Sequence, residues 1–464
     1  MKKRDLEKAG IPRGETMDIA LQAAVAALRN DLNKREVLAY VRAVAKNPGQ
    51  FKDDALFGAL ARQLAGIQER TGRKEKMHHA PFRIWGSDID KEALAQIERA
   101  CALPVAVRGA LMPDAHVGYG LPIGGVLATA GAVIPYAVGV DIACRMKMTV
   151  LDLPVSALSD DPARFKNALA RETLFGIGGA FRKKRDHQVM DMDWSISSIT
   201  KVHRDLAWGQ LGTSGSGNHF VEFGILKVEH DNAPLRPGMY CALLSHSGSR
   251  GVGSKVATHY SRIAMAKHRE LPREAHHLAW LDIKCEEGTE YWNAMELMGS
   301  YAAANHEIIH RAIAKRLSVS VLWDVENHHN FAWKELFDGQ ELVVHRKGAT
   351  PAGLGAIRII PGSMGTPGFV VQGKGCPASL CSAAHGAGRR MSRTAAKKQL
   401  RWNHARALLD AAGVTVMSAG IDEVPMVYKN IMEVMAAQAD LVEMLARFDP
   451  KIVMMAGAGE RAED

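Results

Sequence analysis

The chain contains no C-x-x-C motif, although its 464 residues include six cysteines. These are Cys101, Cys144, Cys241, Cys285, Cys376 and Cys381. Their scatter excludes a disulfide-dense scaffold, and Cys376 and Cys381 lack the second pair that a zinc finger needs. Reduced, buried thiols and a cytoplasmic setting are expected. Aromatic residues are scarce, at 6%, which argues against a base-stacking platform as the main binding device. No apolar run reaches the roughly 18 residues of a membrane span. The charged start Met1-Lys2-Lys3-Arg4-Asp5 lacks an apolar h-region, so no secretory signal is expected. No fixed-period repeat is visible, and no regular βαβ rhythm, which excludes a Rossmann fold. Gly368 to Lys374 fits G-x-x-x-x-G-K, but Gly375 stands where a P-loop needs Ser or Thr.

What is present is an ordinary globular composition, 47% hydrophobic and 23% charged. The length allows one large core or two to three domains. A net charge of +9 fits an anionic partner such as RNA, though charge alone carries little weight. Residues 16 to 72 read as helical, with a break at Asn47-Pro48-Gly49, and Thr71 to Lys76 reads as a polar linker. This predicts a helical N-terminal extension over 1–78, a structural or oligomerising appendage, ahead of a catalytic domain over 79–464. From residue 80 the texture becomes mixed α and β. Strands are predicted at 124–129, 241–245, 341–345 and 368–372, and helices at 285–317, 392–412 and 430–447.

Six short segments carry the chemistry. They are Val140 to Cys144, Gly217 to Phe220, Ser245 to Arg250, Asn327 to Asn330, Pro361 to Gly365 and His385 to Arg389. Asp141 and Cys144 stand three apart, so a carboxylate and a thiolate can face one cation. His219 and His246 lie in glycine-rich frames where the backbone can approach a ligand closely. His328 and His329 are adjacent on an extended segment, so only one of them faces a common site. Mixed O, S and N ligands leave zinc, manganese, iron and cobalt open. His385 is flanked by glycines, and Ser392 is the expected N-cap of the helix that follows. With Arg389 and Arg393 this makes a phosphate cradle, beside which His385 is a candidate covalent nucleophile. A second zinc pattern, His306-Glu307-Ile308-Ile309-His310, fits H-E-x-x-H on a predicted helix, with Glu335 as a third ligand.

Taken in order, these segments resemble the RtcB family of GTP-dependent RNA ligases, from about residue 80 to 457. Pro113 to Gly118 and Met435 to Gln438 add to the resemblance. It implies a mixed α/β (α+β) fold of the family's own, built around packed β-sheets flanked by helices. It implies two Mn²⁺ ions held by Asp141, Cys144, His219, His246 and His329, with Cys144 bridging. It implies GTP as cofactor and guanylylation of His385. It implies nucleotide contacts at Asn218, His219, Glu222, His329, Asn330, Pro361, Gly362, Ser363, Met364, His385, Gly386, Ala387 and Gly388. The implied substrate is RNA with a 3′-phosphate or 2′,3′-cyclic phosphate and a 5′-hydroxyl. Arg250, Arg389 and Arg393 are assigned to RNA phosphates from charge and position. No membrane partner is expected, and the N-terminal helices offer a place for an accessory protein or self-association.

The chain departs from the family's pattern at several points. Ala143 and Arg145 replace the glycines around the metal cysteine. Gly368 replaces a serine, and Met455-Ala456-Gly457 replaces a terminal Lys-Gly beside the guanine. The alternatives are nucleotidyl transfer that caps a 3′-phosphate without sealing, a zinc peptidase on His306, Glu307 and His310, and a non-catalytic RNA-binding relative.

Overall fold

The computed structural model describes residues 1–12, 15–73, 79–229, 231 and 233–460. The chain divides into two compact units, Met1–His78 and His79–Asp464.

The first unit is helical. Helices Lys3–Glu7, Glu15–Arg29, Lys34–Lys46 and Gly58–Arg73 enclose a core that includes Leu6, Met17, Val37, Val41, Val44, Phe57 and Leu60. Asn33 caps the third helix, and Glu36 returns the bond to the Asn33 N–H at 2.8 Å. That reciprocal pair satisfies backbone donors a helix start otherwise leaves open. Of the expected linker, residues 71–73 end the fourth helix, and 74–76 lie outside the described residues.

The second unit is built on two main sheets. One has eight strands and runs Ile357–Ile360, Gly368–Gly373, Val442–Met455, Phe220–Val228, Gly238–Ser247, Arg145–Leu151, Val321–His328, with Thr415–Ser418 beside Val442–Met455. Its two ends meet. The Asn327 side chain bridges them: its Oδ1 accepts the Ile359 N–H at 2.8 Å, and its Nδ2 donates to the Ile359 carbonyl at 3.2 Å. The sheet therefore curls into a nearly closed barrel, which removes two open edges. The other sheet has five strands, in the order Phe82–Ile84, Ala106–His116, Ile123–Thr129, Gln340–Lys347, Asn330–Phe337. Helix Glu286–Leu317 buries Tyr291, Met295, Met298 and Tyr301 in the largest core cluster.

The four predicted strands all form. Two predicted helices change. Residues 392–412 make two helices, Arg393–Gln399 and Trp402–Ala411, because Leu400 and Arg401 turn extended. Residues 430–447 are helical only over Ile431–Ala437, and Val442–Met455 is a 14-residue strand. That strand pairs with neighbours on both sides, so cross-strand partners, invisible in a local window, override helical spacing. Among the described residues no helix is long and apolar enough to cross a membrane.

Candidate active site

Strand register brings the candidate metal ligands to one end of the barrel. Cys144 immediately precedes strand Arg145–Leu151, and His219 precedes Phe220–Val228. His246 lies near the end of Gly238–Ser247, opposite both Met146 and Phe220. His329 sits at the corner where the chain leaves Val321–His328 in one sheet and enters Asn330–Phe337 in the other. Its N–H donates to the Cys144 carbonyl at 3.0 Å. His328 turns the other way, into a ring cluster with Phe331 and Trp333. The pleat thus separates the two adjacent imidazoles.

The side chains converge into two groups, Asp141–Cys144–His219 and Cys144–His246–His329. Cys144 Sγ lies 3.4 Å from His219 Nε2 and 3.1 Å from His246 Nε2. His246 Nε2 is 3.2 Å from His329 Nε2, and Asp141 Oδ2 is 3.1 Å from His219 Nε2. Asp141 is fixed from behind by the Ser249 N–H at 3.0 Å. The Asp141 carboxyl occupies the place that a Cβ on Gly248 would take, so residue 248 must lack a side chain.

Electrostatics prepare these groups for a cation. Burial works against the Asp141 carboxylate, but His219, Arg250 and Cys144 outweigh it and hold it below the usual carboxylate range. Burial pushes His246 down to about 3 and His329 well below the ordinary imidazole value. Both rings are neutral near pH 7, the form that ligates a metal. His246 Nδ1 faces the Asn218 carbonyl at 3.1 Å, so that nitrogen carries the proton and Nε2 presents its lone pair. Asp141 Oδ2 is buried, with the His219 ring 3.1 Å away but no well-aligned hydrogen bond among the described residues. A buried thiol, three imidazoles and a carboxylate oxygen without a well-aligned hydrogen bond fit one or two divalent cations better than they fit each other.

A cavity of about 700 Å³ opens over this cluster. His385 lines it, with its ring centroid 4.9 Å from that of His329. His385 Nδ1 is 2.6 Å from Oδ2 of the fully buried Asp114, and the His385 N–H donates to the same oxygen at 3.2 Å. An ionised carboxylate only accepts, so Nδ1 holds the proton and Nε2 is left as a nucleophilic lone pair.

Asn218, Glu222, Asn330, Pro361 to Met364 and Gly386 to Gly388 line the same cavity. Burial pushes Glu222 up to about 8, so it is mostly protonated near neutrality. The Asn330 amide is already engaged, accepting from the Gly348 N–H at 2.8 Å and donating to the Asp141 carbonyl at 3.3 Å. It braces the ligand loop as well as lining the cavity. Apolar side chains line the cavity too, among them Phe220, Leu244, Met364, Phe448, Val453 and Met455.

The three arginines expected to clamp phosphate are less available than their charge implied. Arg250 is 3% exposed and absent from the cavity lining. Its Nε donates to Thr213 Oγ1 at 3.3 Å, and its guanidinium lies 3.3 Å from His219 Nδ1. It stands behind a ligand rather than in front of one. Arg389 and Arg393 do line the cavity, but the buried Glu423 pairs with both, and Asp422 with Arg393 at 3.4 Å. Arg145 is turned away too, donating to Glu326 at 2.9 Å and the Gly299 carbonyl at 3.2 Å. Ala143, on the other side of Cys144, takes φ +57°, the left-handed region where a methyl costs energy.

The H-E-x-x-H segment makes no metal site. His306 and His310 are buried and share the Ser245 hydroxyl at 2.6 and 2.7 Å, while Thr149 and the Ser247 carbonyl take their other nitrogens. Glu307 points outward to His187 and Arg311, and Glu335 is bound by Arg346. The pattern is structural. It braces the strand that carries His246.

Sequence reasoning missed the role of Asp114, and it missed Lys347 and Lys429 altogether. Lys347 is buried at the cavity wall, donating to the Tyr119 carbonyl at 2.6 Å, and burial pushes its ammonium down to about 7. Lys429 donates to the Pro113 and Ala115 carbonyls at 3.1 Å, either side of Asp114. The Pro113 to Gly118 motif was the available signal for Asp114. Nothing local distinguishes the two lysines from surface residues.

A sequence model described as tRNA-splicing ligase RtcB matches residues 96–207 and 184–456. The chain is 33% identical over 413 aligned residues to an RNA-splicing ligase RtcB of Escherichia coli, covering 79% of this chain and 95% of that protein. It is 30% identical over 463 aligned residues to the tRNA-splicing ligase RtcB of Nanoarchaeum equitans, covering 82% and 96%. An RNA-splicing ligase RtcB of Mycobacterium bovis is 32% identical over 432 aligned residues, covering 76% and 98%.

Proposed function

The chain belongs to the RtcB family, and from that premise we propose that it is an RNA ligase using GTP and manganese to join a 3′-phosphate or 2′,3′-cyclic phosphate to a 5′-hydroxyl. The observation that carries this reading is the His385–Asp114 pair set beside the two ligand groups in one cavity.

The residues fit a three-step transfer. His385 Nε2 attacks the α-phosphorus of GTP, forming an N–P bond as the bond to pyrophosphate breaks. An oxygen of the RNA 3′-phosphate then attacks that phosphorus, the N–P bond breaks, and GMP is carried on the RNA end. Finally the 5′-hydroxyl oxygen attacks the 3′-phosphate phosphorus, GMP leaves, and the hydroxyl proton passes to solvent. A cyclic phosphate is opened by water first. Divalent cations held by Asp141, Cys144, His219, His246 and His329 supply charge neutralisation at the phosphates. Asn218 fixes the His246 tautomer through its carbonyl. The Pro361 to Met364 turn and Gly386 to Gly388 bring backbone amides to the nucleotide. Glu222 and the apolar lining take the base. Arg389 and Arg393 meet the phosphates from positions tuned by Glu423.

All six cysteines are free thiols, which suits a reducing compartment such as the cytoplasm. The N-terminal unit leaves Val25 and Tyr40 exposed, a place for an accessory protein or a second copy.

The test is direct. RNA carrying a 3′-phosphate is mixed with a 5′-hydroxyl RNA, GTP, Mn²⁺ and the protein. A joined strand is expected. A guanylylated end without joining would replace the ligase with a capping enzyme. Neither product, at saturating metal and nucleotide, would overturn both readings.

A further inference from the structure

From Leu342 to Leu409 the chain has no Asp or Glu, although 50 occur in its 464 residues. The same stretch supplies His385 and the Pro361 to Met364 turn to the cavity. Its last third is densely basic, with Arg389, Arg390, Arg393, Lys397, Lys398, Arg401 and Arg406.

The fold sorts these cations into two rows. The inner row, Arg389 and Arg393, is tied to the buried Asp422 and Glu423. The outer row is exposed. Arg390 stands on the cavity rim. Lys397 and Lys398 end helix Arg393–Gln399, Arg401 caps helix Trp402–Ala411, and Arg406 lies within it, all exposed. Lys397 reaches Asp422 at 3.5 Å, while Arg401 donates to the carbonyls of Lys398 and Leu400 and forms no ion pair among the described residues. Arg390, Lys398 and Arg406 form no ion pair among the described residues. Exposed cations therefore continue along the chain from Arg390 at the cavity wall through two helices, with Asp410 the exposed carboxylate that follows them at the end of the second helix.

We propose that Arg390, Lys397, Lys398, Arg401 and Arg406 form a track for the phosphate backbone of the RNA strand whose end enters the cavity. This rests on the ligase reading for what enters the cavity, and the track itself is sequence-independent. Backbone phosphates are the partner because scattered exposed cations without a stacking aromatic row recognise charge and not bases. The track would let the enzyme hold a long strand while its end is exchanged between His385 and the metal site.

The experiment compares the triple variant Lys398→Ala, Arg401→Ala, Arg406→Ala with the wild type. A second triple variant, Arg182→Ala, Lys183→Ala, Lys184→Ala, removes the same charge from another exposed loop. Each is titrated with a 20-nucleotide RNA bearing 5′-hydroxyl and 3′-phosphate ends, across a salt series, and with a trinucleotide bearing the same ends. For the first variant, Kd for the 20-mer is expected to rise about tenfold at low salt. The slope of log K against log salt should shrink by about 2, three contacts at ~0.7 each on a single strand. Trinucleotide binding and the yield of protein–GMP adduct should stay unchanged. The loop variant should match the wild type. An unchanged Kd and slope in the first variant, or an equal loss in the loop variant, would overturn the track. If the slope shrinks as expected but the wild type forms no adduct with GTP, the track stands and the ligase reading fails.

Discussion

Replacing Cys144 by Ala is expected to abolish RNA joining, by at least about 10³-fold, without unfolding the protein. Cys144 is the one side chain shared by both ligand groups. Its Sγ lies 3.4 Å from His219 Nε2 and 3.1 Å from His246 Nε2, so the thiolate would contribute a donor atom to each group when cations are bound. Its removal weakens both at once, whereas loss of His329 weakens one. Several kcal/mol of charge stabilisation at the reacting phosphates goes with the cations, and each 1.36 kcal/mol is tenfold in rate. The fold should tolerate the change, because Ala fits within the space of the buried thiol and adds no polar atom. Equilibrium dialysis against Mn²⁺ would show reduced metal content with an unaltered circular dichroism spectrum. Full metal occupancy in Cys144→Ala, or activity within tenfold of wild type, would contradict the shared-ligand account.

Replacing Asp114 by Asn should slow guanylylation by about 10² to 10⁴-fold while leaving the metal content alone. The carboxylate holds a proton on His385 Nδ1 at 2.6 Å and anchors the His385 N–H. An amide of the same shape can turn its NH₂ toward Nδ1. The proton then moves to Nε2, which ceases to be a nucleophile. The same wrong-tautomer effect in a catalytic triad costs about 10⁴. Asp114 is fully buried and its other oxygen has no hydrogen-bond partner, so the neutral side chain is not a folding hazard. A single-turnover measurement of GMP transfer to the protein reads this directly. A rate within threefold of wild type would show that Asp114 does not set the tautomer.

The candidate metal ligands were legible in the sequence because unusual residues in glycine-rich frames survive without context. Asp141, Cys144, His219, His246 and His329 do meet; strand pleat lets only one of His328 and His329 face the site, and the family resemblance singled out His329. What was not legible depended on partners. The burial of Arg250 behind His219 and the capture of Arg389 and Arg393 by Glu423 require a fold that brings distant segments together. The same holds for the strand at Val442–Met455, whose helical spacing loses to pairing on both sides. His306 and His310 matched a metal motif because a helix puts i and i+4 on one face. That face is packed against Ser245 and Thr149 instead of a cation. Positive charge in a sequence says how much cation there is, and burial then decides which of it can meet a phosphate.

His385 is expected to carry the nucleotide. The protein should be incubated with Mn²⁺ and α-labelled GTP, quenched at alkaline pH, digested and mapped by mass spectrometry. An acid-labile GMP on the peptide containing His385, absent from His385→Ala, is the predicted result. A GMP on any other residue, or none in the metal-replete wild type, would contradict it.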